Sequence, residues 1–339
     1  MGWIYGGITA VRNLLFDLGV LPQEEFDVPV ISVGNITVGG TGKTPHTEYI
    51  VDLLRKDHRV AILSRGYKRK TKGFVMADEC STAADIGDEP LQMARKFPDV
   101  TVAVDANRRE GIRQLCTLHS APCTPNVIVL DDAFQHRYVK PGLSILLVDY
   151  NRPIYRDTML PAGRLREKAS GSRRTDVVVV TKCPADITIT EQRGIENALR
   201  LEPWQKLFFT TYEYAVDFEE LRQKRVVLVT GIANPAQLER DLERNGVAFT
   251  PLHFPDHHDF TQEDIKKIQD LFYGENGGNG GNGENGGNGA LILTTEKDYA
   301  RLPEMGLEVR TLPIRVAFIG HAEESFNKII TDYANTGTW

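Results

Sequence analysis

Val28-Pro29-Val30-Ile31-Ser32-Val33-Gly34-Asn35 is a short apolar, β-branched run, and it opens into Gly39-Gly40-Thr41-Gly42-Lys43-Thr44. A strand ending in a glycine-rich turn closed by Gly-Lys-Thr is the layout of a phosphate-binding loop between a strand and a helix. The glycines let backbone N–H groups curl around phosphate oxygens with no Cβ in the way. In that layout Lys43 reaches the β- and γ-phosphates and the Thr44 hydroxyl holds Mg²⁺. A helix from about Thr44 to Lys56 then points its positive N-terminal end at the anion. The full pattern has Gly at position 37. This chain has Thr37 there, so the nucleotide-binding candidates Thr37-Val38-Gly39-Gly40-Thr41-Gly42-Lys43-Thr44 form a variant loop. The stretch predicts binding of ATP or GTP.

Outward from the loop, apolar strand-like runs alternate with helical patterns. Strands are expected at Val60–Leu63, Val100–Val104, Val127–Leu130, Ser144–Val148, Val177–Thr181, Leu207–Thr210, Val226–Thr230, Phe249–Leu252, Ala290–Leu293 and Glu308–Leu312. Helices are expected at Pro45–Lys56, Glu89–Phe97, Arg108–Leu118, Glu191–Leu201, Pro235–Asn245, Thr261–Phe272 and Ala322–Tyr333. Such alternation means βαβ units and a mostly parallel sheet covered on both faces. That is more strands than one sheet comfortably holds. The expected fold is α/β: a phosphate-loop NTPase-type parallel-sheet domain, a second, smaller α/β domain, and an N-terminal amphipathic helix. The expected divisions are residues 1–24 for the helix, 25–160 for the core and 161–339 for the second domain, the basic connector Arg152–Arg174 marking the join. Residues 274–289 are built from Gly, Asn and Glu and read as a disordered surface insertion.

The 339 residues are 41% apolar and 25% charged, as in an ordinary globular protein, and the net charge of −6 gives no global basic footprint of a nucleic-acid binder. Cys80, Cys116, Cys123 and Cys183 form neither a C-x-x-C pair nor a zinc spacing, which reads as reduced thiols. Trp3, Ile4, Ile8, Val11, Leu14, Leu15 and Leu18 recur at helical spacing, interrupted by Arg12 and Asp17. That stretch is too short and too charged to span a membrane. It suits a helix packed on the domain or one lying in a membrane interface.

Several short motifs carry chemistry. Val127-Ile128-Val129-Leu130-Asp131-Asp132 is a buried strand that delivers carboxylates to its C-terminal edge, where phosphate-loop proteins organise Mg²⁺. Gln135 and His136 lie one turn on and can face the same site. In Gly87-Asp88-Glu89-Pro90, Asp88 fits a helix N-cap, or a carboxylate placed to take a proton from an attacking hydroxyl. Asp256-His257-His258-Asp259 suits a catalytic histidine supported by a carboxylate. Thr294-Thr295-Glu296-Lys297-Asp298 is either a purine-base contact or a helix start. Arg65 in Ser64-Arg65-Gly66-Tyr67, with Arg108, Arg109 and Arg166, suits an anionic substrate.

Together these motifs resemble the tetraacyldisaccharide 4′-kinase family, the lipid A 4′-kinases of Gram-negative bacteria. The matching segments are Val-Gly-Asn…Gly-Gly-Thr-Gly-Lys-Thr-Pro, Ser-Arg-Gly-Tyr, Gly-Asp-Glu-Pro, Asp-Asp-x-Phe-Gln-His, Leu-Pro-Ala-Gly-x-Leu-Arg-Glu, Gly-Ile-x-Asn-Pro, Asp-His-His and Thr-Thr-Glu-Lys-Asp, in order over nearly the whole chain. The resemblance implies transfer of the γ-phosphoryl of ATP, with Mg²⁺, to the 4′-hydroxyl of a tetraacyldisaccharide 1-phosphate, giving lipid IVA. It implies a monotopic enzyme on the cytoplasmic face of the inner membrane, held by its N-terminal helix, with a lipid partner and neither nucleic acid nor an obligate protein partner. It gives Asp88 the role of general base and His257 that of its partner, with Arg108 an active-site arginine. Thr44, Glu89, Asp131 and Asp132 become the metal side, and Arg65, Gln135, His136, Arg166 and Glu167 the substrate or hinge residues. The family's Asp-Asp-Gly-Phe-Gln-His reads Asp-Asp-Ala-Phe-Gln-His here. A positive φ at Ala133 would strain the turn by roughly 1 kcal/mol; a negative one costs nothing. The alternative of another class is a nucleotide-switch GTPase acting on a protein, with Lys297 and Asp298 on the base.

Overall fold

In the computed structural model the described residues are 2–117, 124–232, 235–255, 258, 260–274, 290–299, 301–302 and 306–338. Residues 275–289 of the insertion expected at 274–289 lie outside them, with His257 and Cys123, as do the side chains of residues 2–5.

In chain order the first elements are α1 (Gly2–Asp17), β1 (Val30–Gly34), α2 (Lys43–Leu54), β2 (Val60–Ser64), β3 (Val75–Met76), α3 (Ala83–Ile86), α4 (Asp88–Lys96), β4 (Thr101–Val104), α5 (Arg108–Cys116) and β5 (Val127–Asp131). Then come β6 (Leu143–Asp149), β7 (Val177–Thr181), α6 (Ile189–Leu199), β8 (Lys206–Tyr214), α7 (Phe218–Arg222), β9 (Arg225–Thr230), α8 (Ala236–Arg244) and β10 (Phe249–His253). The last are α9 (Gln262–Tyr273), β11 (Ala290–Thr295), α10 (Glu296–Tyr299), β12 (Val309–Leu312), β13 (Ile314–Phe318) and α11 (Glu323–Thr336).

A nine-stranded sheet has the order β13-β8-β7-β6-β1-β5-β2-β4-β3. It runs parallel from β8 to β4, with β3 antiparallel on the edge. The strands beside β1 are buried along their length because helices cover both faces, which is why they read as continuous apolar runs. α2 buries Ile50, Val51 and Leu54 against Ile31, Val33 and Val129, each such side chain contributing about 1.5–3 kcal/mol. A second, four-stranded parallel sheet has the order β10-β9-β11-β12.

The chain divides into two compact units, Met1–Glu213 with Arg315–Trp339, and Tyr214–Ile314. The division expected at residues 160/161 is thereby corrected. β7 pairs on β6 from Ile145↔Val177, and β8 on β7 from Val177↔Lys206, so the first sheet grows past the basic connector. That connector is no hinge between units. It folds back on the phosphate loop, with Thr37 bridged to Leu165, Val38 N–H donating to Arg164 O (2.8 Å) and Arg166 N–H to Ile36 O (2.8 Å). Among the described residues no helix is long and apolar enough to cross a membrane.

Candidate active site

β1 ends at Gly34 because the next turn leaves no room for a side chain: a Cβ there would lie 2.7 Å from that of Phe134. Asn35 Nδ2 then donates to Thr41 Oγ1 (2.7 Å), and Thr181 Oγ1 to the Thr41 carbonyl (2.9 Å), which closes the loop from inside. Gly39 and Gly42 have φ of 118° and 86°, conformations that glycine adopts without strain. A Cβ on Gly42 would also meet the Tyr212 hydroxyl. Lys182, at the end of β7, reaches the Gly40 carbonyl and pairs with Asp149 (2.9 Å). His46 braces the loop from below, donating from Nδ1 to Gly42 O (2.8 Å) while Nε2 accepts from Thr210 Oγ1 (2.9 Å). Burial pushes the His46 imidazole down to about 4, so the ring is neutral and this tautomer is the one that both bonds require.

Lys43 and Thr44 open α2 at this loop. Lys43 Nζ lies 3.6 Å from Asp132 Oδ1, and Arg166 Nη1 lies 3.4 Å from the same carboxylate. Asp131, at the end of β5, is buried and accepts from Ser64 Oγ (3.0 Å) and Thr47 Oγ1 (3.4 Å). Burial, then Glu89 and Asp132, raise its carboxyl to about 7, against the pull of Lys43. Asp132 is the opposite case: partial burial works to raise it, but Lys43 and Arg166 hold it below the usual range. The φ of 49° falls on Asp132, and Ala133 is not among the positive-φ residues. Ala133 in place of the family's glycine therefore carries no backbone strain.

Arg108, at the start of α5, is buried with Nη1 on Asp105 O (2.8 Å) and Nη2 on Asp131 O (3.3 Å). Burial lowers its guanidinium to about 10, with Asp131 and Asp132 opposing. His136 is lowered to about 4 by burial and by Arg108. Arg65 is exposed, and its charge is felt at both Arg108 and His136. Gln135 donates to Asn35 O (2.6 Å) and accepts from Arg166 Nη1 (3.2 Å). Glu167 is fully buried and held by both Nη atoms of Arg174 (2.8 Å each). Asp88 is the first residue of α4 rather than its N-cap; Gly87 caps the helix, because the turn needs φ of 92°. Asp88 and Glu89 thus sit in the favourable first turn of a helix.

The donor set Thr44, Glu89, Asp131 and Asp132 is all oxygen, the kind that Mg²⁺ prefers. A buried carboxylate raised by two acidic neighbours gains from a cation, so these residues fit the ion. Among the described residues no group of three His, Cys, Asp or Glu side chains is arranged to hold a metal ion.

In the second unit His258 bonds Asp264 (2.9 Å) and stacks on Phe254 at 4.9 Å, a packing role. Asp298 is buried and accepts from Gly231 N–H (2.9 Å) and Thr295 Oγ1 (2.7 Å), bracing the turn after β11. His46, Thr47 and Lys182 escaped the sequence reading of the site, and Asn35 and Ser64 stood in its motifs without a role. The signal they share is a polar residue at the end of a strand or in the first helical turn.

A sequence profile of the family described as LpxK, tetraacyldisaccharide-1-P 4′-kinase, matches residues 1–335. A tetraacyldisaccharide 4′-kinase of Phocaeicola vulgatus is 50% identical, over 98% of this chain and 93% of that protein. Another, of Parabacteroides distasonis, is 48% identical over the same shares. The crystal structure of LpxK from Aquifex aeolicus in complex with ATP superimposes with a TM-score of 0.74 at 31% identity, covering 98% of this chain and 96% of that one.

Proposed function

The chain belongs to the tetraacyldisaccharide 4′-kinase family, and on that premise we propose how its residues perform the reaction. It is an ATP-dependent kinase that phosphorylates the 4′-hydroxyl of tetraacyldisaccharide 1-phosphate, the step of lipid A biosynthesis that gives lipid IVA. The family and the ATP-bound relative decide against a GTPase switch.

The observation that carries the assignment is the meeting of Lys43, Asp132 and Arg166 above the buried Asp131, at the C-terminal edge of a parallel sheet beside the loop. The loop Thr37–Thr44, through backbone amides from Gly39 onward and through Lys43, would hold the ATP phosphates, and Arg108 would stabilise charge on the transferring group. Thr44, Glu89, Asp131 and Asp132 would hold Mg²⁺, which supplies charge neutralisation on the phosphate oxygens when bound. Asp88, half-buried at the start of α4, would accept the proton of the attacking hydroxyl, with His257 as its partner. Arg65 and His136 would face the acceptor. Gln135, Arg166 and Glu167 would support the metal side.

α1 would lie in the membrane interface on the cytoplasmic face as an amphipathic helix. Support comes from exposed apolar residues on it and just past its end: Ile8 is 67% accessible, Val11 58%, Leu14 53% and Leu18 66%. Transfer of labelled γ-phosphate to the disaccharide 1-phosphate in mixed micelles tests the reading. A Mg²⁺-dependent product absent with Lys43→Ala is expected. No product despite ATP binding would withdraw the lipid acceptor.

A further inference from the structure

Ile8, Val11 and Leu14 form one exposed face of α1, continued by Leu18 just past its end. At about 100° per residue, Asn13 lies on the opposite side of the helix, with Phe16 and Asp17. That inner face is already pinned without the Asn13 side chain. Arg137 donates to the Asn13 carbonyl (2.9 Å) and pairs with Asp17 (2.7 Å), and Phe16 packs edge-on against Tyr138 at 4.9 Å. The Asn13 amide goes elsewhere: Nδ2 donates to Glu167 Oε2 at 3.0 Å.

Glu167 has no exposed surface, so its carboxylate must be satisfied by protein donors alone. Arg174 covers both oxygens (2.8 Å each), Asn13 adds a donor to Oε2, and Gln135 Nε2 lies 3.4 Å from Oε1. Gln135 turns its own oxygen to Arg166 Nη1 (3.2 Å), and that nitrogen lies 3.4 Å from both oxygens of Asp132, which faces Lys43 at 3.6 Å. An unbroken set of polar contacts thus runs from the N-terminal helix to the phosphate-loop lysine, within one compact unit.

We propose that Asn13 is a positioning residue for phosphoryl transfer: it holds Glu167 in register and, through Gln135 and Arg166, sets the Asp132 carboxylate beside Lys43. The inference rests on the kinase reading above. Without the Asn13 amide, Oε2 keeps only Arg174. The carboxylate can then turn toward that arginine, and the 3.4 Å contact to Gln135 is the first to open. Arg166 and Asp132 lose their register, and the metal side of the site loosens.

The test uses the full chain in mixed micelles with disaccharide 1-phosphate, ATP and varied Mg²⁺. Asn13→Ala is expected to lower kcat three- to tenfold and to raise the half-saturating Mg²⁺ by a similar factor. KM for the lipid and co-sedimentation with anionic vesicles stay unchanged, since the exposed face is intact. The thermal shift given by Mg²⁺ with a non-hydrolysable ATP analogue reads the same Mg²⁺ change without turnover. Asn13→Asp, the same shape with an acceptor turned on Glu167, is expected to be at least as defective. Wild-type kcat and Mg²⁺ dependence in Asn13→Ala would overturn the inference and leave the kinase reading standing. So would a loss that only follows vesicle binding. An inactive wild-type protein would remove both.

Discussion

The ammonium of Lys43 stands 3.6 Å from the Asp132 carboxylate, which joins the first residue of α2 to the residue just past β5. The pair is partly exposed, so it adds on the order of 1 kcal/mol or less to stability. Its charges matter for the phosphates. Lys43→Ala and Asp132→Ala are expected to cut labelled-phosphate transfer by roughly 10²-fold or more and to leave the melting temperature within a few degrees of wild type. A variant that keeps wild-type turnover would remove that residue from the site.

Asp88→Ala and His257→Ala are expected to bind ATP normally and to lose most turnover, because neither residue belongs to the phosphate loop and both are assigned to the acceptor proton. ATP binding by fluorescence titration, set beside kcat at saturating substrate, separates the two effects. Full turnover in both variants would sink the dyad.

Asp131 binds a proton more tightly in the folded chain than in the unfolded one, its carboxyl being raised from 3.8 to about 7. Its effect on stability is therefore most favourable below pH ~4 and declines as pH climbs toward 7. Mg²⁺ competes with that proton. Half-saturating Mg²⁺ is expected to fall about fivefold from pH 6 to 7 and less than about twofold from pH 7 to 8. Activity titrations at pH 6, 7 and 8 check it, and Asp131→Asn should abolish the trend.

His46 has the opposite sign. Its imidazole is held at about 4 against the ordinary 6.5, so the fold favours the neutral ring. Stability from this group is present above pH 6.5 and is lost as pH falls toward 4, by at most roughly 3 kcal/mol. His46→Ala removes the imidazole bonds to Gly42 O and Thr210 Oγ1, leaving Gly42 O the backbone bond from residue 46 (3.3 Å) and Thr210 Oγ1 a long one to Val180 O (3.5 Å), and is expected to cost about 1–2 kcal/mol. It should also flatten the acid limb of a thermal-melting series. An unchanged acid limb would assign that limb to other groups.

Ile8→Asp with Leu14→Asp is expected to weaken co-sedimentation with anionic liposomes severalfold while sparing the melting temperature, since both side chains are exposed. Unchanged co-sedimentation would return α1 to packing alone.

Much of this was legible because buried parallel strands leave a strong mark. Val30–Gly34, Val127–Asp131 and Val177–Thr181 are buried throughout and apolar but for Ser32, Asp131 and Thr181, and Gly-Lys-Thr announces the loop. β3 was missed because two edge residues carry no period, and β13 because Pro313 interrupts the run from Val309. The connector Arg152–Arg174 looked like a linker from its Pro, Gly and Arg content. Its backbone bonds to residues 36–38 are long-range and leave no local pattern. Asp88 resembled a cap, yet Gly87 took that place through a positive φ that composition does not display. Asn13 and His46 matter through partners far away in sequence, which no spacing rule reaches.

The strands β8 and β13 are neighbours, and Ala215 N–H donates to Pro313 O at 3.0 Å just beyond them. The stretch between is thus a cassette whose two ends touch. Such a cassette can be excised and its stumps joined by a tight turn, leaving the nine-stranded sheet with all its strands. The same geometry explains how a gene could acquire a second sheet in mid-sequence without rewiring the first.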